Sequence, residues 1–295
     1  MSVTAVVSGG EALPVPSPTT RVARNRLRDL KIRSFNVSDF TTPPVVGVHA
    51  HRGSGMSTLT ASLLIETQRH IGLDGAVILT DRPTEWYMGG CFSRQIIMDK
   101  PFPAVLKTLL ELQRHRIASG RRPLRLAIAA DDVIQTPKIL KSESTQRDLK
   151  AAKDHNIMII LATPDVTIWP TNVHTFATHV MTTKCLSTEE PKLLQKRMFV
   201  MFDGPVALAD TIALCQNHEF LVCSLRPMST STLLDFSSSY QPTYYAKTKE
   251  HVHVASWKPD VDVEEEERGQ AGIVEAEFIM EAELIEHITD ALRST

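Results

Sequence analysis

VVGVHAHRGSGMSTLTASLL, residues 45–64, is the stretch on which the fold turns. Val45, Val46 and Val48 form a short apolar run that predicts a buried strand. Leu59, Ala61, Leu63, Leu64 and Ile65 follow at helical spacing. Between them lies the glycine-bearing turn His51-Arg52-Gly53-Ser54-Gly55-Met56-Ser57-Thr58. Strand, glycine turn and helix together form the context in which backbone N–H groups curl round an anion at the positive end of a helix. The pattern for such a loop is G-x-x-x-x-G-K-[ST]. Ala50 stands at the first glycine, Gly55 at the second, and Ser57 at the hydroxyl that reaches Mg²⁺. Met56 stands at the lysine. The other reading of the stretch is a plain surface turn, since Gly-Ser-Gly before Ser-Thr is also a common way to start a helix.

A second window, LRLAIAADDV at 124–133, bears on that choice. It is almost wholly apolar and ends in two carboxylates, Asp131 and Asp132, which suits a central parallel strand. Acidic groups at the carboxyl end of such a strand lie at the crevice where α/β sheets take ligands. This is the Walker B arrangement, in which one aspartate joins the Mg²⁺ shell and the next carboxylate orients or deprotonates the attacking water. On this reading Asp131 and Ser57 are the metal-side residues, Asp131 and Asp132 the catalytic pair. Arg52, Gly53, Ser54, Gly55, Met56, Ser57 and Thr58 are then the nucleotide cradle. The alternative is an aspartate pair capping a turn. A glycine loop followed downstream by a strand-terminal aspartate pair fits one nucleotide site better than two coincidences.

The remaining signals fill in an α/β chain. Strands are expected at 75–80, 94–98, 156–163, 177–182 and 220–225, and helices at 102–117, 142–155, 191–201 and 205–215. Gly120 reads as the glycine that closes the 102–117 helix, and proline opens each of the last two helices. Strands alternating with helices through short connections predict a doubly wound, mostly parallel sheet with right-handed crossovers.

Four segments are expected. Residues 1–20 are rich in Ser, Thr, Pro and Gly and read as disordered, and 21–44 as a basic arm. Residues 45–225 form the α/β domain. Residues 226–295 are an extension with Ser/Thr-rich sequence, an edge strand around Tyr240, Tyr244 and Tyr245, an acidic linker and an acidic amphipathic helix at 273–292.

At 295 residues, with 42% hydrophobic and 22% charged residues and a net charge of −2, nothing in the bulk composition demands a nucleic-acid or membrane partner. The apolar runs fall well short of the ~20 residues a membrane span needs. No basic stretch followed by an apolar core marks a secretion signal at the N-terminus. Cys91, Cys185, Cys215 and Cys223 show no C-x-x-C spacing, so reduced cysteines of an intracellular protein are expected and no zinc site.

With these motifs in order, residues 45–225 resemble the DNA-packaging ATPases of large nucleocytoplasmic DNA viruses, in the FtsK–HerA branch of P-loop ATPases. Three passages carry the likeness: the strand–loop–helix at 46–64, Ala129-Ala130-Asp131-Asp132-Val133, and the helix at 147–155 running into Asn156-Ile-Met-Ile-Ile-Leu-Ala-Thr163. The resemblance implies a P-loop NTPase-like fold with a RecA/FtsK-type core, ATP and Mg²⁺ as ligands, double-stranded DNA as a partner, and a homo-oligomeric ring or a capsid or portal component. It also implies residence inside a host cell, in cytoplasm, nucleus or virion. Three positions depart from the family: Met56 for the lysine, Thr163-Pro164 for the polar sensor, and His174 for the arginine that reaches a neighbour's nucleotide.

The function expected is therefore ATP-driven DNA translocation into capsids, weakened or abolished by Met56, with Arg52 or His51 as stand-ins for the lysine. The alternative is a catalytically degenerate paralogue that binds DNA, capsid or an active ATPase. A small-molecule kinase fits less well, because no arginine-rich lid follows the Walker B strand.

Overall fold

The computed structural model describes residues 33–35, 37, 40, 42–81, 95–98, 101–200, 202, 204–215, 219–225 and 243–247. The expectations for 1–20, for most of the basic arm, for the acidic linker and for the 273–292 helix lie outside these residues. Nine strands are described: β1 Arg33–Ser34, β2 Val45–His49, β3 Gly75–Thr80, β4 Gln95–Met98, β5 Leu126–Asp131, β6 Ile157–Thr163, β7 His179–Thr182, β8 Glu219–Ser224 and β9 Thr243–Lys247. The helices are α1 Met56–Ile71, α2 Phe102–Ala118, α3 Pro137–Lys141, α4 Glu143–Asp154, α5 Glu190–Arg197 and α6 Pro205–Ile212.

The strands form one sheet in the order β1-β9-β8-β7-β2-β6-β5-β3-β4. From β7 through β4 every pairing is parallel. The expected mostly parallel α/β sheet is present. Its other edge departs from that pattern, because β8 pairs antiparallel with both β7 and β9. Tyr244 and Tyr245 do lie in a strand, but β9 sits one place in from the edge, with β1 outside it. The antiparallel turn-back escapes local reading because it is a choice of partner, not of backbone.

Apolar runs became strands where both faces are covered. All five residues of β2, all six of β5 and all seven of β6 are buried. Alternation splits the core in two. Val45, Ile128, Ile159 and Leu161 join α2, α4, α5 and Trp169 on one face, while Val46, Val48, Ala127, Ala129 and Ile160 lie under α1 on the other. The alanines of β5 keep that second face low, so α1 packs close to it.

Gly47 marks another close approach. A Cβ there would lie 3.0 Å from the Trp169 ring, which is fully buried against β2. Gly120, at φ +71°, closes α2 with its N–H donated to the Ile117 carbonyl, as expected. The short helix α3 was not foreseen; five residues entered by a proline carry too little periodicity to be read.

Candidate functional site

The loop between β2 and α1 leaves the sheet at its centre, with β6 on one side and β7 on the other. Two of its residues hold left-handed backbone, Gly53 at φ +82° and Gly55 at φ +94°. Only glycine takes such angles without strain, so the Gly-x-Gly spacing is what lets the chain turn into the helix. Ser54 ties the turn down, its N–H and hydroxyl both donating to the His51 carbonyl at 3.1 and 2.5 Å. Gly55 is the N-cap of α1, no side chain caps the helix, and no acidic residue stands in its first turn. A helix start in that state suits an anion.

Met56 is the first residue of α1 and is 6% exposed. It belongs to the apolar cluster beneath α1 together with Ala50 and Leu59. Ser57 and Thr58 follow it, each half-buried.

The aspartate pair lies two strands away. Asp131 is level with Ala162 of β6, and Ala162 is level with Val48 of β2, so Asp131 stands level with the penultimate residue of β2, just below the loop. Two strand spacings put the β5 and β2 backbones about 10 Å apart. Asp131 is 3% exposed, and alternation sets it on the α1 face with Ala127 and Ala129. Asp132 takes left-handed backbone at φ +59°, and its N–H donates to the Ala162 carbonyl at 2.9 Å. That twist brings it to the loop: Arg52 donates to Asp132 Oδ2 from Nε at 3.1 Å and from Nη2 at 2.7 Å.

A second constellation was not anticipated. His49, at the end of β2, and His51, at the start of the loop, both meet Glu190, the first residue of α5. His49 Nε2 lies 2.7 Å from Glu190 Oε1, and His51 Nε2 lies 2.8 Å from the same oxygen and 3.0 Å from Oε2. The Leu186 N–H donates to Oε2 at 2.9 Å. Burial opposes the charge on Glu190, but the hydrogen bonds from His49, His51 and Leu186 outweigh it and hold the carboxyl at about 2. Glu190 is therefore an acceptor, and both imidazoles present an Nε2 proton. Cys185 adjoins this group; burial first, then the Glu190 charge, pushes its thiol up to about 12.

His49 follows Val45 and Gly47 on the Trp169 face of β2, opposite the face that carries Asp131. The H-x-H spacing was visible in the sequence, but its partner lies 139 to 141 positions downstream with no local signal. His51 is thus turned to α5 and is not placed as a stand-in for the missing lysine. The other two departures also have a location: Pro164 follows β6, with Thr163 accepting the Asp165 N–H at 3.3 Å, and His174 sits exposed in the 3₁₀ turn Val173–Thr175.

No family model and no curated protein matches this sequence. Among solved structures, the chain is similar to the DNA-packaging ATPase B204 from Sulfolobus turreted icosahedral virus, at 14% identity and TM-score 0.47, over 62% of this chain and 93% of that one. It is similar to the genome packaging NTPase B204 from Sulfolobus turreted icosahedral virus 2 in complex with sulfate, at 14% identity and TM-score 0.49, over 72% of this chain and 100% of that one. ATPases 2 and 3 of EssC from Geobacillus thermodenitrificans follow at 12% identity and TM-score 0.46, over 72% of this chain and 42% of that one. At such identities no residue role is carried across. Among the described residues, no helix is long and apolar enough to cross a membrane.

Proposed function

We propose that this chain is a P-loop ATPase-like protein of the genome-packaging and DNA-translocating type, binding ATP–Mg²⁺ in the loop between β2 and α1. The observation that supports it is the juxtaposition of two features at the centre of the sheet. The glycine loop opens α1 through Gly53 and Gly55, and a buried carboxylate, Asp131, ends β5 on the same face. The Ser57 hydroxyl and the Asp131 carboxylate are hard oxygen donors of the kind Mg²⁺ takes alongside substrate phosphates. Mg²⁺ at these residues would neutralise charge on the phosphates during transfer. Gly53, Ser54, Gly55 and Thr58 cradle the phosphates in this reading, and Arg52 supplies the only loop cation. Asp132 serves the attacking water once Arg52 has left it. Double-stranded DNA and a ring of identical subunits, or a capsid or portal protein, are the partners that go with this class.

The second reading, a catalytically degenerate subunit that binds DNA, capsid or an active ATPase, is favoured by Met56. A buried thioether offers phosphate no charge and the transition state no stabilisation.

Met56→Lys separates these readings from a plain turn. The lysine stem can run along the apolar floor while the ammonium reaches the loop. A charge-assisted bond of ~1.5–3 kcal/mol corresponds to ~10–100-fold tighter ATP–Mg²⁺ binding by isothermal titration. Turnover that rises with affinity supports the ATPase; affinity without turnover supports the degenerate subunit. No nucleotide binding by either protein overturns the phosphate-loop reading.

A further inference from the structure

We infer that His49, His51 and Glu190 form a binding site for a divalent transition-metal ion of the zinc type, beside the start of the loop and on the face of β2 opposite Asp131. The inference is independent of the nucleotide reading. One donor atom from each of the three residues lies within 4.8 Å of the others. Two imidazoles with one carboxylate make a donor set that zinc uses widely, leaving a fourth position for water or another side chain. The two rings stand 5.6 Å apart between centroids and 76° from parallel, so they present separate nitrogens to one point and do not stack.

The geometry needs little adjustment. Both Nε2 atoms lie 2.7–2.8 Å from Glu190 Oε1. An ion held tetrahedrally at ~2.0–2.1 Å from each donor sets the donors ~3.3 Å apart. Each contact therefore opens by about half an ångström, within the reach of side-chain torsions. The Leu186 N–H already holds the second carboxylate oxygen at 2.9 Å, the kind of outer contact that orients a ligating carboxylate. Cys185 lies beside Glu190 but outside this donor set, so the fourth position is left to water.

His49 and Glu190 are 2% and 6% exposed, and His51 is half-buried, so the ion has an approach from the loop side. Metal binding moves the His49 proton from Nε2 to Nδ1, which is buried without a partner. That tempers the affinity and favours a structural, exchangeable ion. Its effect is to fasten the first loop residue after Ala50 to the start of α5. The cysteine spacing holds no hint of this site, because none of its three donors is a cysteine.

The test is equilibrium dialysis of the full-length, metal-stripped protein against zinc chloride, with bound zinc measured by atomic emission. Cobalt(II) substitution is followed by visible absorption. Wild type is compared with His51→Ala, whose side chain is partly exposed, and with Glu190→Gln, each checked for folding by circular dichroism. The expected result is one zinc per chain, an intense tetrahedral cobalt spectrum, and a tenfold or greater loss of zinc affinity in both variants. A rise in the melting temperature with zinc that His51→Ala abolishes also supports the site. Folded wild type that binds no stoichiometric zinc overturns the inference, as does zinc retained at equal affinity by both folded variants.

Discussion

Arg52 of the glycine loop is paired with Asp132, just past the end of β5 two strands away, through two hydrogen bonds to a single carboxylate oxygen. Any triphosphate that binds this loop therefore has to compete with Asp132 for the loop's cation. The Arg52 side chain is 61% exposed, so the pair itself contributes little to stability, under about 1 kcal/mol. Arg52→Ala is expected to weaken ATP–Mg²⁺ binding while leaving the melting temperature within a few degrees of wild type. Asp132→Ala, which releases the arginine, is expected to tighten binding and abolish any turnover. Titration calorimetry of both variants checks this, and equal affinities in all three proteins would remove Arg52 from the phosphate site.

Asp131 stands in a different position, buried at the strand end on the α1 face. Asp131→Asn keeps its size and much of its hydrogen bonding but loses the charge that a hard cation needs. Nucleotide affinity measured with Mg²⁺ should fall by tenfold or more, with a smaller change in the presence of EDTA. If the only consequence is ~1 kcal/mol of lost stability, the aspartate is a turn cap and nothing more.

Gly47 and Trp169 supply a stability test free of any functional assumption. A methyl group on Gly47 meets the indole at 3.0 and 3.1 Å and the Met198 methyl at 3.4 Å. Neither ring nor strand has room to retreat, since Trp169 is wholly buried and β2 is paired on both sides. Gly47→Ala should cost ~1–3 kcal/mol by overpacking. In a domain of this size that lowers the melting temperature by ~2–4 °C per kcal/mol, read by calorimetry. An unchanged melting temperature would mean that the ring shifts freely.

Cys215 should be chemically silent. Burial first, and then the nearby Glu219 charge, push its thiol up to about 12. The thiolate is the nucleophile, and a raised value keeps the group protonated throughout the neutral and mildly alkaline range. Iodoacetamide at pH 8 should label Cys215 at least about a hundredfold more slowly in the native protein than in denaturant. Peptide mapping of the alkylated chain reads this for Cys215 separately from the other thiols.

The parts of this molecule that could be read in advance are those whose cause is local. β2, β3, β5 and β6 announced themselves because a strand covered on both faces has to be apolar at nearly every position. Gly53, Gly55 and Gly120 could be placed because their backbone angles exclude other residues. Pairing was not legible. Nothing within β8 says that it runs against β7, and nothing near Tyr244 and Tyr245 says that β1 lies outside them. Within the site, the aspartates could be placed at a strand end but not turned: the left-handed twist that brings Asp132 to Arg52 has no sequence signature. Glu190 read only as the residue before a helix-opening proline. Its meeting with His49 and His51 depends on where α5 lands, which is decided by Leu194, Met198 and Phe199 packing into the core.

The central position of β2 also sets a timetable for synthesis. Val45 hydrogen-bonds with Thr178, 133 positions later, and its other neighbour, β6, is also far downstream. At ~5–20 residues per second, a ribosome takes roughly 7 to 27 s to deliver that partner after β2 has been made. Until β6 has been made, earlier in that interval, the Val-Val-Gly-Val run has no strand beside it, and the glycine loop has no fixed strand to leave from. A nascent chain arrested before residue 157 would hold the whole loop sequence with none of its geometry, and its longest-waiting apolar strand would be the one most in need of a chaperone.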